Sequence, residues 1–152
     1  MAVGAATIHA SAVLVGPQAA LIRGPAGSGK STLAWSLVTA AAQGLLTFAR
    51  LVADDRAYVE NHSARLLVRP VEALAGMIEV HGLGIRRIEF EPVAMVGLVV
   101  DLGVGDATRY PGTECTSVMI QGVTLPRLAV APGITALPMV LATLQTPSAG
   151  GD

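Results

Sequence analysis

The fold is decided by residues 20–38, which read ALIRGPAGSGKSTLAWSLV. The first residues are apolar and β-prone, and they complete a strand that begins near Ala19 and ends at Arg23. The glycines that follow interrupt any regular element. From Lys30 onward, apolar residues recur at helical spacing as far as about Ala42. This stretch therefore predicts a strand, a glycine-rich loop and a helix, in that order.

The loop itself has the pattern of a phosphate-binding loop. Residues 24–31 fit G-x-x-x-x-G-K-[ST] at every fixed position, and the chain's other nine basic residues are all arginine. Glycines let backbone N–H groups close around phosphate oxygens, a lysine supplies a mobile charge, and a serine hydroxyl can ligate Mg²⁺. The start of the helix adds its partial positive charge. We predict that a nucleoside triphosphate is bound by Gly24, Pro25, Ala26, Gly27, Ser28, Gly29, Lys30 and Ser31.

Composition excludes several other classes of protein. A net charge of −1 provides no basic face for nucleic acid. The longest apolar run, 93–100, is far shorter than the roughly 20 residues that span a bilayer, and the N-terminus lacks a signal peptide's basic region. Charged residues make up 14% of the chain, against about 25% in an average soluble domain. We expect one cytoplasmic domain whose apolar surface is partly covered by a partner or by self-association.

The rest of the chain alternates short strands with few helices. Apart from the residues already described, we predict a short helix at 70–76 and a last helix near 135–144. The strand candidates are 8–15, 51–53, 57–60, 66–69, 77–80, 85–90, 93–102, 117–121 and 128–130.

Two places offer a carboxylate at a strand end, as phosphoryl transfer requires. The pair Asp54-Asp55 follows residues 51–53, and Asp101 follows the longer apolar run 97–100. Run length favours Asp101 as the metal-binding carboxylate. Adjacent carboxylates, in contrast, can divide the work between a metal and an incoming hydroxyl, and their repulsion raises one pKa toward that of a general base. Spacing favours the pair, and Asp101 remains the alternative.

Glu79 and His9 are weaker candidates from their positions alone. Glu79 ends a strand just before His81-Gly82-Leu83-Gly84, where glycines allow close approach of a ligand and a carboxylate can complete a Mg²⁺ shell. A glycine-rich hairpin explains the same pattern. His9 fits either a catalytic base or a hydrogen-bonded core histidine, and position alone favours the core.

Four segments together resemble one family, the bacterial HPr kinase/phosphorylase. They are residues 8–15, 23–31, 50–55 and 78–85, and the similarity runs from about residue 7 to residue 145. The Leu-Val-Ala-Asp-Asp element at 51–55 and the Glu-x-x-Gly-Leu-Gly-Ile element at 79–85 are more specific than the phosphate-binding loop. The family's usual N-terminal domain is not matched. The resemblance implies one P-loop kinase domain over residues 1–152, with a mixed β-sheet, in the short form known from α-proteobacteria.

The resemblance also implies an activity. Family members use Mg-ATP to phosphorylate a serine of HPr, the phosphocarrier of the sugar phosphotransferase system, and they run the reverse phosphorolysis; they form hexamers. His9 matches the active-site histidine, Asp55 the residue that takes the serine proton, and Arg109 the catalytic arginine. Lys30 matches the loop lysine, and Ser31 and Glu79 match magnesium ligands. Asp54 is then left to the metal side, and Asp101 becomes a strand-end residue.

The chain departs from the family pattern at four places. Thr32 replaces an acidic residue, His81 replaces an arginine, and extra residues occur around 43–48. Residues 130–134 align with a segment whose two arginines are tied to dephosphorylation, and both are missing here. We therefore predict kinase activity much greater than phosphorolysis. Two other functions remain open: a small-molecule kinase or NTPase, and a non-enzymatic module gated by nucleotide.

Overall fold

The computed structural model describes residues 6–149 as a mixed α/β fold with one extended, mixed β-sheet. Two α-helices occur in this range, α1 at Lys30–Ala42 and α2 at Leu137–Gln145. Short 3₁₀ turns lie at Glu72–Leu74 and Thr113–Cys115. The strands are β1 Ala6–Ile8, β2 Ala10–Val15, β3 Gln18–Arg23, β4 Ala49–Ala53, β5 Ala57–His62, β6 Arg65–Pro70, β7 Met77–Val80, β8 Gly84–Arg87, β9 Ala94–Leu102, β10 Ser117–Ile120 and β11 Val123–Val130.

The long strand β9 organises the sheet. Its residues 99–101 pair on both edges with parallel neighbours, β3 on one side and β11 on the other. Beyond β3 the order continues through β2 to β4, and from the start of β9 it continues through β6 and β5 to β1. These remaining pairings are antiparallel, and β7 and β8 form a separate hairpin. A sheet with both kinds of pairing agrees with the mixed sheet predicted from the sequence.

Apolar side chains of the sheet pack into two clusters. One contains the inward side chains of α1 and α2, including Leu37 and Val140, packed on Val13, Ile22 and Val100. The other contains Leu21, Val52 and Val99 together with buried residues of β5, β6 and β11. Alternation of side chains along each strand explains why neighbours such as Leu21 and Ile22 join different clusters. Both faces of the central strands are therefore buried, as their nearly continuous apolar sequences require.

Most predicted elements are present, with differences at their ends. The predicted strand 8–15 is interrupted at His9, which separates β1 from β2. The predicted helix at 70–76 is reduced to a 3₁₀ turn, and the strand predicted at 128–130 begins earlier, at Val123. Helix α1 ends as predicted just before Gly44, whose φ of 83° is a left-handed conformation that glycine adopts at little cost.

None of the helices in the described range is long and apolar enough to cross a membrane.

Candidate active site

Three loops meet at one edge of the sheet. Strands β3, β9 and β11 run parallel, so their carboxyl ends lie on the same side, and each is followed by a connection there. These connections are the glycine-rich loop 24–29, the segment 103–116, and residues 131–136 before α2. Ligands of open α/β sheets bind outside the carboxyl ends of the strands. This edge is therefore where the topology places a binding site.

The glycine-rich loop leads directly into the start of α1. Gly29 is the residue before the helix, with φ 98°, and no side chain caps the helix there. The first turn also carries no acidic residue. The N–H groups at the helix start are thus capped by no side chain, and together with the positive end of the helix dipole they fit a bound phosphate.

The loop is packed against the end of β9 at two glycines. A Cβ on Gly24 would lie 2.5 Å from Ser28 Oγ and 3.0 Å from the Leu102 carbonyl oxygen. Ser28 Oγ is itself buried and has no hydrogen-bond partner within the described residues. Next along the chain, Gly103 lies under Pro25, since its Cβ would be 3.6 Å from that ring. The loop and the segment after β9 therefore lie close together, with little room for a side chain between them.

The ammonium group of Lys30 is held by its own loop. Lys30 is 9% exposed, and its Nζ donates to the carbonyl oxygens of Gly24 at 2.9 Å and Pro25 at 3.3 Å. Within residues 6–149, no carboxylate is paired with it. A nearly buried cation without a counterion makes the loop receptive to an anionic ligand.

Asp54 is the centre of the hydrogen-bond network at this edge. It is 6% exposed, and its Oδ1 accepts from Ser11 Oγ at 2.7 Å. Ser31 Oγ lies 2.7 and 3.0 Å from its two oxygens, and the Glu79 N–H donates to Oδ2 at 2.9 Å. One carboxylate thus joins β2, the start of α1 and β7. The predicted metal-side residues Ser31 and Asp54 are in contact.

Asp55 has the opposite environment. Its side chain is exposed, its φ is 67°, and its N–H donates to Ser11 Oγ at 3.1 Å. Aspartate tolerates the left-handed conformation better than most residues. The adjacent carboxylates are therefore separated, with Asp54 fixed inside the network and Asp55 open to solvent.

His9 and Glu79 lie around the same pair. His9 is exposed and sits between Ile8, which pairs with Ala57 just beyond Asp55, and Ala10, which pairs with Arg23 just before the loop. The environment thus differs from the core histidine that position alone favoured. The side chain of Glu79 is exposed, although its backbone is bonded to Asp54. Three of the predicted residues are therefore brought together directly: Ser31, Asp54 and, through its backbone, Glu79.

Arg109 is not joined to this group by any described contact. It lies in the segment 103–116, is exposed, and has its guanidinium 5.4 Å from the centre of the Tyr110 ring. The topology brings its segment to the correct edge of the sheet. No described hydrogen bond brings its side chain to Lys30 or Asp55.

Asp101, the alternative metal-binding carboxylate, accepts hydrogen bonds from two arginines. It is 6% exposed; Arg23 binds it with a two-pronged contact of 2.7 and 2.8 Å, and Arg127 Nε donates at 2.6 Å. Burial alone would raise the pKa of Asp101, but the hydrogen bonds and charges of the two arginines outweigh it and lower the pKa. Asp101 therefore has a structural environment, and Asp54, not Asp101, meets the loop serine.

Ser11 and Arg127 escaped the reasoning from sequence. Ser11 is fully buried between Asp54 and the backbone of Asp55. A single hydroxyl inside the apolar run 10–15 is a signal, because a buried polar group needs partners. Arg127 carried no such signal, since its partners are distant in sequence.

The oxygen donors at this edge suit Mg²⁺, which needs few protein ligands, better than a metal ion that is ligated by protein side chains alone. No group of three His, Cys, Asp or Glu side chains in the described range is arranged to hold a metal ion. Magnesium commonly takes one or two carboxylates and completes its shell with water and substrate phosphates. The hydroxyl of Ser31 and the carboxylate of Asp54, beside the loop, fit that pattern.

A separate cavity of about 400 Å³ lies at the other end of β3, between the turn 15–20, residues 44–47 and the end of α2. No ionisable side chain lines it. The chemistry-bearing residues are therefore at the loop edge and not in this cavity.

Comparison with known proteins gave a structural match. No protein-family model and no curated protein matches the sequence. Among solved structures, the chain is similar to the Hpr(Ser) kinase/phosphatase from Coxiella burnetii, with 20% identity and a TM-score of 0.73. The match covers 92% of this chain and 88% of that one. The fold of this protein is therefore that of an HPr(Ser) kinase/phosphatase, as the resemblance of the sequence segments implied.

Proposed function

We propose that this protein is an ATP-dependent serine kinase whose acceptor is the phosphocarrier HPr. The observation that carries the proposal is the contact of Ser31 with Asp54 at the start of α1, beside an exposed Asp55. A nucleotide loop, a metal-side carboxylate and a free carboxylate are the parts that phosphoryl transfer to a hydroxyl needs. The fold and the sequence elements at 51–55 and 79–85 support this function over that of a generic NTPase.

The residues take separate roles in the proposed reaction. Residues 24–31 bind the phosphates of ATP, and Lys30 exchanges its carbonyl partners for phosphate oxygens. Ser31, Asp54 and Glu79 would hold Mg²⁺, which supplies charge neutralisation on the phosphates when bound. Asp55 accepts the proton of the serine hydroxyl. At the same time the hydroxyl oxygen forms a bond to the γ-phosphorus of ATP, and the bond between that phosphorus and ADP breaks.

Two further residues act on the same transfer. Arg109 would approach the transferring phosphoryl group and stabilise its charge. His9 lies between two residues whose strand partners follow the Asp54-Asp55 pair and precede the glycine-rich loop. From there its side chain would face the acceptor or the phosphate. Residues 130–134 contain no arginine, so the proposed enzyme favours phosphorylation over phosphorolysis. We place it in the cytoplasm, where ATP and HPr occur, as a homo-oligomer, with the hexamer as the family expectation.

The deciding experiment supplies the protein with Mg-ATP and HPr from the same organism, and locates phosphoserine by mass spectrometry. We expect one phosphoserine on HPr, much slower release of phosphate without HPr, and little phosphorolysis when phosphate and phospho-HPr are supplied. ATP hydrolysis that ignores HPr would instead indicate an NTPase or a small-molecule kinase. Nucleotide binding with no transfer, unchanged by Asp55→Asn, would indicate a regulatory module.

The nucleotide site can be tested independently of the acceptor. Because Lys30 is the only lysine, a lysine-directed acyl-phosphate derivative of ATP has one side-chain target in the chain. We expect labelling at Lys30 that excess ATP prevents. Labelling that ATP does not reduce would contradict nucleotide binding at this loop.

A further inference from the structure

A charged network joins the glycine-rich loop to the segment that carries Arg109. Arg23, the residue before the loop, grips the carboxylate of Asp101 with two hydrogen bonds. Arg127 on β11 binds the same carboxylate through Nε at 2.6 Å. The carboxylate is 6% exposed, so solvent screens these contacts less than it screens a surface ion pair. Asp101, on β9, thus links Arg127 on β11 to Arg23, which directly precedes the glycine-rich loop.

The other side of Arg127 holds both ends of the neighbouring segment. Its Nη1 and Nη2 donate to the carboxylate of Asp106 at 2.7 and 3.1 Å, and Nη1 also donates to the Cys115 carbonyl oxygen at 3.1 Å. Its backbone N–H donates to the Thr116 carbonyl oxygen at 2.8 Å. The side chain of Arg127 is 11% exposed, although that of Asp106 is 48% exposed. One guanidinium group therefore closes the loop formed by residues 106–115.

Arg109 lies inside that closed loop, where few other contacts determine its position. The described hydrogen bonds within residues 107–115 are local, such as Cys115 N–H to the Gly112 carbonyl oxygen. The ring of Tyr110, which lies under the Arg109 guanidinium, is 82% exposed. The ends of the loop, and not its middle, are thus attached to the fold.

We propose that Arg127 is a positioning residue for the segment that carries Arg109. It binds both ends of that segment, at Asp106 and Cys115. It also binds Asp101, the carboxylate that holds Arg23 at the entry to the glycine-rich loop. A guanidinium suits this task because its planar fork can serve two carboxylates at once, which an ammonium on a flexible stem cannot do in the same geometry. The same two segments also lie close together at Gly103, where an added Cβ would be 3.6 Å from the Pro25 ring. This inference rests on the proposed catalytic role of Arg109.

The test compares Asp106→Asn with Glu114→Gln. Both variants remove one negative charge from the same exposed segment, and neither adds or removes a trypsin site. Of these two residues, Asp106 is bonded to Arg127, and no described hydrogen bond joins Glu114 to it. We expect Asp106→Asn to increase trypsin cleavage after Arg109 roughly threefold, with no change after Arg56 or Arg65. Glu114→Gln should cleave like the wild type.

Kinetics supply the second measurement. Asp106→Asn should lower kcat for transfer to HPr about threefold with the KM for ATP unchanged, because the residues that bind the nucleotide are untouched. Arg127→Lys keeps the charge and the trypsin site but loses the fork, so both effects should be larger, roughly tenfold.

Three outcomes would overturn the inference. Equal cleavage after Arg109 in Asp106→Asn and Glu114→Gln would show that Arg127 does not hold the segment. Faster cleavage at Arg56 and Arg65 as well would show a general loss of stability. Selective cleavage with unchanged kcat would show that the segment's position is irrelevant to transfer. If the wild type transfers no phosphate to HPr, the proposed function fails, while the cleavage comparison still decides whether Arg127 fastens the segment.

Discussion

Asp54 and Asp55 are identical in chemistry and adjacent in sequence, yet the fold gives them different environments. Asp54 accepts hydrogen bonds from Ser11, Ser31 and the Glu79 backbone, and so is fixed in position. Asp55 is turned outward by a left-handed backbone, with only its N–H held by Ser11. A metal-side carboxylate has to be held in place, and a proton acceptor has to reach an incoming hydroxyl. The environments suit this division of roles.

Replacing Asp55 with asparagine should abolish transfer without disturbing the fold. Asparagine also tolerates a left-handed backbone, so the φ of 67° adds little strain to the variant. We expect kcat for HPr phosphorylation to fall by about 10²–10⁴, with the Kd for Mg-ATP unchanged. Stopped assays and equilibrium nucleotide binding measure the two quantities.

Asp54→Asn provides the comparison for the stability of Asp55→Asn. It alters a buried acceptor of several hydrogen bonds, so we expect the free energy of unfolding to fall by about 1–3 kcal/mol. Asp55→Asn should leave that free energy nearly the same. Equal kcat for Asp55→Asn and wild type would remove Asp55 from the reaction.

At the scale of elements, the glycine-rich loop packs closely against the end of β9. A Cβ on Gly24 would lie 3.0 Å from the backbone oxygen of Leu102, which cannot move without shifting the central strand. We expect Gly24→Ala to destabilise the fold by about 1–3 kcal/mol and to weaken Mg-ATP binding. Urea denaturation and titration with nucleotide check the two effects.

Gly105→Ala is the control for added volume at this edge. A Cβ there meets no atom within 4 Å, and the residue has no left-handed φ. We expect its stability and nucleotide affinity to equal those of the wild type within error. If Gly24→Ala also behaved like the wild type, the close packing between the loop and β9 would be irrelevant to binding.

The arginine network predicts how stability depends on pH. The contacts with arginine lower the pKa values of Asp101 and Asp106 below their ordinary values, despite the burial of Asp101. A lowered pKa contributes stability that is complete above the unfolded value, about 3.9, and is lost as the pH falls through the folded pKa. The pKa of Arg127 is raised, chiefly by Asp106 and then by Asp101, so this group stays charged throughout.

Asp101→Asn should remove most of this dependence. At pH 7 we expect the variant to be less stable than the wild type by about 2 kcal/mol, because two arginines lose their charged partner. Below pH 4 the difference should shrink as Asp101 in the wild type becomes protonated. Urea unfolding between pH 3 and pH 7 measures this, and a difference that stays constant with pH would contradict the assignment.

The sequence predicts elements whose signals are local and fails where partners are distant. Strand, loop and helix at 18–42 follow from glycine and apolar spacing, and the structure confirms them. The break at His9 arises because β1 pairs with β5 whereas β2 pairs with β3 and β4, which no local pattern records. Likewise, nothing near Arg127 indicates that it meets Asp101, 26 residues away.

At the scale of the whole molecule, the pairing of β9 positions part of the candidate site. Only the alignment of β9 with both β3 and β11 brings the segments after these strands to one edge. Candidate residues were predictable because motifs carry them. The grouping of Ser31, Asp54 and Glu79 was implied by family resemblance, and not by spacing, since pairing over such separations depends on the whole chain.

The surface of the molecule predicts self-association. Charged residues are only 14% of the chain, and several large apolar side chains are more than half exposed, namely Met119, Leu83, Ile85, Ile134 and Leu45. Single exposed apolar side chains are common on monomers, so the prediction of self-association requires that these side chains lie together in one interface. We expect light scattering to give a mass that is a multiple of 15.5 kDa, with six copies as the number that the sequence resemblance implies.

The response of that mass to salt identifies the force that holds the copies together. Contacts between apolar side chains persist or strengthen when sulfate is added, because such salts favour burial of apolar surface. Contacts between charged groups weaken instead, because salt screens them. With so few charges on the chain, we expect the multiple to be retained as sulfate is raised and protein is diluted. Dissociation in salt would assign the interface to ion pairs, and a mass of 15.5 kDa under all conditions would show that the exposed apolar side chains are not covered by a second copy.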